Sequence, residues 1–151
     1  MSQLNPLKSF TQLTLGERVD RATDNITTGE DLFTIVGGRV AVNLIIGEVT
    51  TIIETKAVTF KLVANPTTGT STDMCATLDL SADEVGTMYT ISGAPATAMQ
   101  RGESGSVLTQ ATPVIVAIGA IEAAVGDTHT GSIKWSVFYT PIDDGAYIEA
   151  A

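Results

Sequence analysis

The chain has 151 residues, of which 44% are hydrophobic, 17% charged and 5% aromatic, and its formal net charge is −9. This length suits one domain with a mostly aliphatic core. The acidic balance disfavours direct binding to nucleic acid and to anionic membrane surfaces, because both carry negative charge. The charged fraction lies below the roughly 25% usual for soluble domains, which indicates that some apolar surface is buried against other chains.

The amino-terminal residues give no sign of a secretory or membrane segment. They lack a basic region followed by an apolar stretch, and no apolar run in the chain reaches the roughly 18 residues that a membrane helix needs. The only cysteine, Cys75, cannot form an internal disulfide or a thiolate metal cluster. The simple interpretation is synthesis and folding in a reducing cytoplasm, although a single cysteine also permits other compartments.

Residues 1–28 differ in composition from the rest of the chain and predict an extended N-terminal arm. Pro6 blocks a continuous helix or a central strand, and the charged stretch from residue 17 to residue 24 has few apolar anchors. The alternative to an arm is a disordered tail. An arm that binds a neighbouring subunit would use as anchors Leu4, Pro6, Leu7, Phe10, Leu13 and Leu15.

Residues 29–151 predict a domain made of short strands separated by glycine and proline turns. Alternating apolar side chains in residues 39–46 have the period of two that buries one face of a strand, and Gly37-Gly38 before them can supply a tight turn. Residues 120–125 are expected to pair back across Gly119 on the strand before them, and residues 93–105 to form a long loop. The predicted strands are residues 32–36, 39–46, 49–53, 56–64, 74–80, 88–92, 107–109, 113–118, 120–125, 131–140 and 146–149.

The clearest of these strands is residues 131–140. Its alternation puts Ile133, Trp135, Val137 and Tyr139 on one face, and we expect this face to lie in the core or in an oligomer contact. Many short strands with such turns predict an all-β fold, either an antiparallel β-barrel or a jelly-roll-like sandwich.

Few residues suggest chemistry. His129, the only histidine, could act as a general base beside Asp127, but we favour the alternative of a polar residue at a hairpin tip. The carboxylate pairs Asp83-Glu84 and Asp143-Asp144 could contribute to a calcium site or be ordinary turn residues. With no spaced ligand ladder and no nucleophile motif, we predict no catalytic, cofactor or metal site and no enzymatic activity.

The domain resembles a family of small virion proteins of tailed bacteriophages. The likeness covers roughly residues 29–151 and leaves out the arm. It lies in Leu-Phe-Thr-Ile-Val-Gly-Gly-Arg-Val (32–40), Gly-Glu-Val-Thr-Thr (47–51), Thr-Asp-Met-Cys-Ala (72–76), Val-Gly-Thr-Met-Tyr (85–89), Thr-Gly-Ser-Ile-Lys-Trp (130–135) and Tyr-Thr-Pro-Ile-Asp-Asp-Gly-Ala-Tyr-Ile (139–148).

This resemblance implies a capsid decoration, or cement, protein that binds the outer head surface and stabilises the assembled capsid. Such proteins are commonly trimeric β-barrels or jelly rolls, so the implied partners are the major capsid protein and two further copies of the chain. The alternative is a tail, collar or fibre component whose loop at residues 93–105 binds a glycan or the host.

Overall fold

The computed structural model describes residues 15–103 and 105–151, and every element named among them is a β-strand, which confirms the all-β prediction. The strands are β1 (Glu17–Ile26), β2 (Glu30–Val36), β3 (Val40–Thr51), β4 (Thr59–Pro66), β5 (Thr72–Asp73), β6 (Leu78–Asp79), β7 (Met88–Thr90), β8 (Gln100–Gly102), β9 (Val114–Val116), β10 (Gly119–Val125), β11 (His129–Pro141) and β12 (Tyr147–Ala150).

The strands form two six-stranded antiparallel sheets that pack as a sandwich. The first sheet has the order β1-β11-β3-β7-β8, with β9 also paired to β3. The second has the order β12-β2-β10-β4-β5, with β6 also paired to β4. Because the described strands make two separate sheets, the fold is the sandwich of the two predicted alternatives and not a closed barrel.

The core lies between the sheets, and the strand at residues 131–140 supplies its centre. Ile133, Trp135, Val137 and Tyr139 are at most 3% exposed, and the Trp135 ring stacks on Phe60 of the opposite sheet with 5.7 Å between ring centroids. Alternation therefore identified the buried face correctly. The same burial removes these four side chains from any oligomer contact, because their apolar surface is already used within one chain.

The second half of the predicted arm belongs to the domain. Residues 17–26 form β1, which pairs along β11 from Glu17 opposite Tyr139 to Ile26 opposite His129. The alternation that would have revealed this strand is interrupted, because the pairing shifts register between Arg21 and Asp24. An edge strand also leaves many side chains in water, so its charged residues resemble those of a linker. Of the predicted anchors, Leu4, Pro6, Leu7, Phe10 and Leu13 lie outside the described residues.

At Gly119 the chain crosses from the first sheet to the second. The prediction that residues 120–125 pair with the strand before them is therefore wrong. β9 pairs with β3 in the first sheet, whereas β10 lies between β2 and β4 in the second. At Gly119, φ is +148°, and a Cβ there would lie 2.2 Å from the carbonyl oxygen of Asn65. Only glycine permits that close approach, so the residue joins two sheets instead of making a hairpin.

Residues 74–80 do not form the single strand that their apolar content predicts. β5 pairs with β4 immediately before this stretch, and within it β6 is the named strand that does so. Met74 and Cys75 are adjacent and both buried, which a regular strand with one solvent face does not allow. Between them and β6, Ala76 makes an isolated bridge to Ala98.

A substitution at Gly47 tests how closely the backbone of the first sheet packs against the Trp135 ring. A Cβ at Gly47 would lie 2.7 Å from the Trp135 ring, so Gly47→Ala is expected to lower the free energy of unfolding by about 1–3 kcal/mol through overpacking. Urea unfolding followed by tryptophan fluorescence measures this loss.

The matched control is Gly126→Ala, whose Cβ would meet only the Thr59 hydroxyl at 2.6 Å, a side-chain atom that another rotamer moves away. Its expected loss is smaller. Equal stability losses in the two variants would contradict the packing assigned to Gly47.

Candidate interaction surface

One end of the sandwich is organised by an ion pair between residues 104 positions apart in the chain. Asp143, in the β11–β12 turn, accepts hydrogen bonds at 2.8 Å from the backbone N–H of Arg39 and at 2.9 Å from its Nε. A third bond joins Arg39 Nη2 to the other carboxylate oxygen at 2.8 Å. The Arg39 hydrogen bonds hold the pKa of Asp143 far below its usual range.

The glycine pair in the β2–β3 turn makes this contact possible. Gly37 and Gly38 have φ values of +81° and +156°, which other residues rarely adopt. A Cβ on Gly38 would also lie 2.6 Å from the Cβ of Asp143. The glycines therefore let the β11–β12 turn approach the backbone of the β2–β3 turn closely enough for Arg39 to hold it at three points.

Exposed apolar side chains surround the ion pair. Ile118, Ile142 and Tyr147 are 44–46% exposed. They line two shallow cavities of about 440 and 500 Å³ that adjoin at Asp143. We call this end the Asp143 surface, and it is lined by Glu17, Gly38, Arg39, Thr67, Thr68, Ala117, Ile118, Pro141, Ile142, Asp143, Asp144, Gly145, Ala146 and Tyr147.

The described chain begins at this same end. The Leu15 carbonyl accepts a 2.9 Å hydrogen bond from Asn43 Nδ2, and the Glu17 carboxylate accepts one at 2.8 Å from the Tyr139 hydroxyl. Gly16 between them has a φ of +86°, and a Cβ there would collide with the Tyr139 carbonyl oxygen. Leu15 is thus the one predicted anchor within the described residues, and its backbone is fixed beside the Asp143 surface.

His129 lies at the opposite end of β11, buried at 3% exposure. Its Nδ1 is 2.6 Å from the Asp127 carbonyl oxygen and its Nε2 is 3.1 Å from that of Ala57. The Asp127 carboxylate is bound to Lys56 at 2.5 Å instead. His129 is therefore placed to join the β10–β11 turn to the segment before β4, which is the structural alternative of the two that its sequence allowed.

The two carboxylate pairs noted in the sequence, Asp83-Glu84 and Asp143-Asp144, lie in different parts of the fold. Asp83 is buried and accepts hydrogen bonds from the Tyr89 hydroxyl at 2.5 Å and from Arg101 Nε at 3.1 Å, whereas Asp143 belongs to the ion pair above. Burial, followed by the bond to Asp83, raises the pKa of Tyr89. Within residues 15–103 and 105–151, no group of three or more His, Cys, Asp or Glu side chains could hold a metal ion.

A cluster of charges around the buried Arg21 side chain was missed by sequence reasoning. Arg21 of β1 contacts Asp24 at 2.8 Å and Glu30 of β2 at 3.0 Å, and its side chain is 9% exposed. Because β1 and β2 belong to different sheets, this cluster ties the edge of the first sheet to the second. An arginine among charged neighbours is usual on an exposed edge, so nothing local in the sequence marked this one as buried.

The comparisons with known proteins identify no relative of this chain: no family model, no curated protein and no solved structure matches it significantly. In the part of the chain that the structure describes, no helix has the length and apolar content to span a membrane.

His129→Ala removes a buried ring whose nitrogens face two carbonyl oxygens. The variant is expected to lose about 1–3 kcal/mol of unfolding free energy, because the buried ring and its hydrogen bonding to the Asp127 and Ala57 carbonyl oxygens are both removed. Thr128→Ala, at the exposed neighbouring position, is the control and should be nearly neutral. Urea denaturation of both variants decides the point, and an unchanged midpoint for His129→Ala would contradict the structural assignment.

The cluster at Arg21 predicts a pH dependence. Burial, followed by the hydrogen bond with Asp24, raises the pKa of Glu30 above its ordinary value of 4.5. A carboxyl group with a raised folded-state pKa stabilises the fold below its unfolded-state pKa, and this contribution is lost as the pH rises through the folded-state value. Glu30→Gln keeps a donor for Asp24 but cannot ionise.

The stability of Glu30→Gln relative to the wild-type chain should therefore increase with pH between about pH 4 and pH 8. Urea unfolding of both proteins across this range measures the difference. A difference that stays constant, or that falls with rising pH, would show that Glu30 is not held in a desolvated site.

Proposed function

We propose that the protein is a structural component of a tailed-bacteriophage virion that decorates the outer surface of the head and stabilises the assembled capsid. The motifs quoted above support the phage origin. The observation that carries the mechanism is the position of Leu15 to Glu17 beside the Asp143 surface. Residues 1–14 and the exposed apolar end of the sandwich can then contact the same partner.

Residues 1–14 have the composition of a capsid-binding arm. They contain Leu4, Leu7, Phe10 and Leu13, and Lys8 is their only charged side chain. The formal net charge of −9 includes +1 from Lys8, so the rest of the chain carries −10. An acidic domain keeps copies apart in solution and suits a position outside the capsid, away from packaged DNA.

The strand that follows the arm is held firmly in the domain. β1, which follows the arm, pairs along β11 and is tied to the second sheet through Arg21 and Glu30. A force on residues 1–14 would thus pass into both sheets. This supports an arm that anchors the protein, because an arm attached to a loosely held strand would peel it away before releasing its partner.

We further propose that three copies assemble on the capsid, so that three arms bind together. Simultaneous binding of linked arms gives an avidity far above that of one arm where the geometry allows it. Since the inner face of β11 is buried in each chain, the contacts between copies are assigned to exposed apolar side chains, among which Leu108 and Ile115 are 73% and 62% exposed.

Removal of residues 1–14 should abolish capsid binding and leave the domain folded, because β1 begins at Glu17. Binding to purified heads is expected to weaken by more than roughly 100-fold through loss of avidity. Co-sedimentation with heads measures binding, and circular dichroism of the free protein checks the fold. Decoration at wild-type affinity by the truncated protein would refute the arm.

Acidic substitutions on the Asp143 surface test the second part of the footprint. The double variant Ile118→Asp, Ile142→Asp should bind heads at least roughly tenfold more weakly, because two apolar contacts become charged. Ile52→Asp is the matched control, since Ile52 is 55% exposed and follows β3 at the other end of the sandwich.

Equal binding by the double variant and the control would remove this surface from the proposal.

An electron-microscopy map of the particle tests the assignment to the head. Density for the protein on the tail in place of the capsid would overturn the proposed function as a whole.

A further inference from the structure

One edge of the first sheet carries almost no charge. Residues 85–116 contain two charged side chains, Arg101 and Glu103, whereas the whole chain has 8 Lys and Arg residues and 17 Asp and Glu residues. These two side chains lie 3.6 Å apart as an ion pair. The stretch includes β7, β8 and β9, which lie on the side of β3 that faces away from β11 and β1. We call residues 85–103 and 105–116 the charge-poor edge.

Apolar side chains on the charge-poor edge are open to solvent. Val85, Leu108 and Ile115 are 63%, 73% and 62% exposed. β9 pairs with β3 on one side, and none of the other described strands pairs with its outer edge. Uncharged apolar edge strands are places where other chains readily add. This edge therefore has the properties of a contact surface for another protein.

The opposite edge of the same sheet is strongly charged. The ten residues of β1 include Glu17, Arg18, Asp20, Arg21 and Asp24. Across the described residues, every Lys and Arg side chain lies within 3.3 Å of a carboxylate of its own chain. The positive charges are thus balanced within each copy, and the surplus carboxylates make two copies repel each other.

We propose that copies of this chain contact one another through the charge-poor edge. Repulsion between acidic copies is weakest where neither copy presents charge, and the exposed apolar side chains there gain from leaving water. A second copy supplies the same uncharged edge, whereas a basic partner would be drawn to the carboxylates elsewhere on the domain. The number of copies that meet in this way rests on the proposed function.

Contact at this edge suits the position of the arm. β1 and β8 lie at opposite ends of the first sheet. Copies that meet at the charge-poor edge therefore carry β1, and residues 1–14 before it, on their outer sides. Arms on the outside of an assembly can reach separate capsid subunits, which the avidity of several arms requires.

Sedimentation of the full chain without capsids, over a series of protein concentrations, tests the contact. The measurement is made in about 0.01 M and about 1 M NaCl, between which the Debye length falls from ~30 Å to ~3 Å. Association is expected to be tighter at the higher salt concentration, because salt screens the repulsion between copies and leaves the apolar contacts in place. An interface built from ion pairs would respond in the opposite direction.

Matched substitutions locate the contact. Ile115→Asp should lower the association constant at least about tenfold, because it puts a charge into the uncharged interface, and Leu108→Asp should act in the same way. Ile52→Asp is the control, since it adds the same charge at a side chain that is 55% exposed but lies outside this edge. Hydrogen exchange of the unmodified chain, which should slow at residues 114–116 as concentration rises, decides the question if a variant does not fold.

Three outcomes would overturn the inference: a monomer at every concentration in both salts, equal weakening by Ile52→Asp and Ile115→Asp, or association that weakens as salt rises. Binding to heads is measured separately, so the two proposals fail separately. A monomer that still decorates heads would keep the proposed function without this contact. Association through this edge by a protein located on the tail would keep the contact without the proposed function.

Discussion

The pairing of β3 with β11 is the constraint on which the rest of the fold depends. These are the two longest strands, and they pair from Thr51 opposite Ser132 to Val40 opposite Pro141. Trp135 lies over Gly47 in this ladder and stacks on Phe60 of the other sheet. Gly47 therefore leaves the space in which the ring packs against the opposite sheet, since a larger residue at position 47 would displace the ring that fills the core.

The same ladder also decides what the two ends of the molecule can do. At one end, β3 starts after the Gly37-Gly38 turn and β11 runs into the turn that carries Asp143, so Arg39 and Asp143 meet. At the other end, β11 starts at His129, whose ring is enclosed by backbone carbonyls. Ile118, Ile142 and Tyr147 are exposed at the first end, beside the point where residues 1–14 join the domain. This proximity gives the proposed capsid footprint its place.

Two of the least exposed charged side chains among the described residues, Arg21 and Asp83, each join separate parts of the chain. Arg21 connects β1 with β2 across the sheets, and Asp83 connects Tyr89 with Arg101. Desolvation makes isolated charges costly in such positions, but paired charges with further hydrogen bonds are tolerated. Because directional polar contacts are intolerant of misplacement, these clusters specify the position of edge elements that carry little apolar surface of their own.

The sequence by itself determined which side chains face inward wherever a strand alternates without interruption. The buried face of residues 133–139 and the turn at Gly37-Gly38 followed from side-chain period and glycine geometry alone, because both are properties of a few consecutive residues. It failed where register shifts broke the period, as between Arg21 and Asp24, and where two adjacent apolar residues were both buried, as at Met74 and Cys75.

Only the tertiary structure decided which strands are neighbours and which distant side chains meet. Nothing near Gly119 states that the next strand belongs to the other sheet, and nothing near Arg39 names a partner 104 residues away. The same holds for Arg21, which lines a small cavity together with residues from four other strands. Contacts of this kind depend on how the two sheets close over a shared core, a property of the whole chain that no local segment encodes.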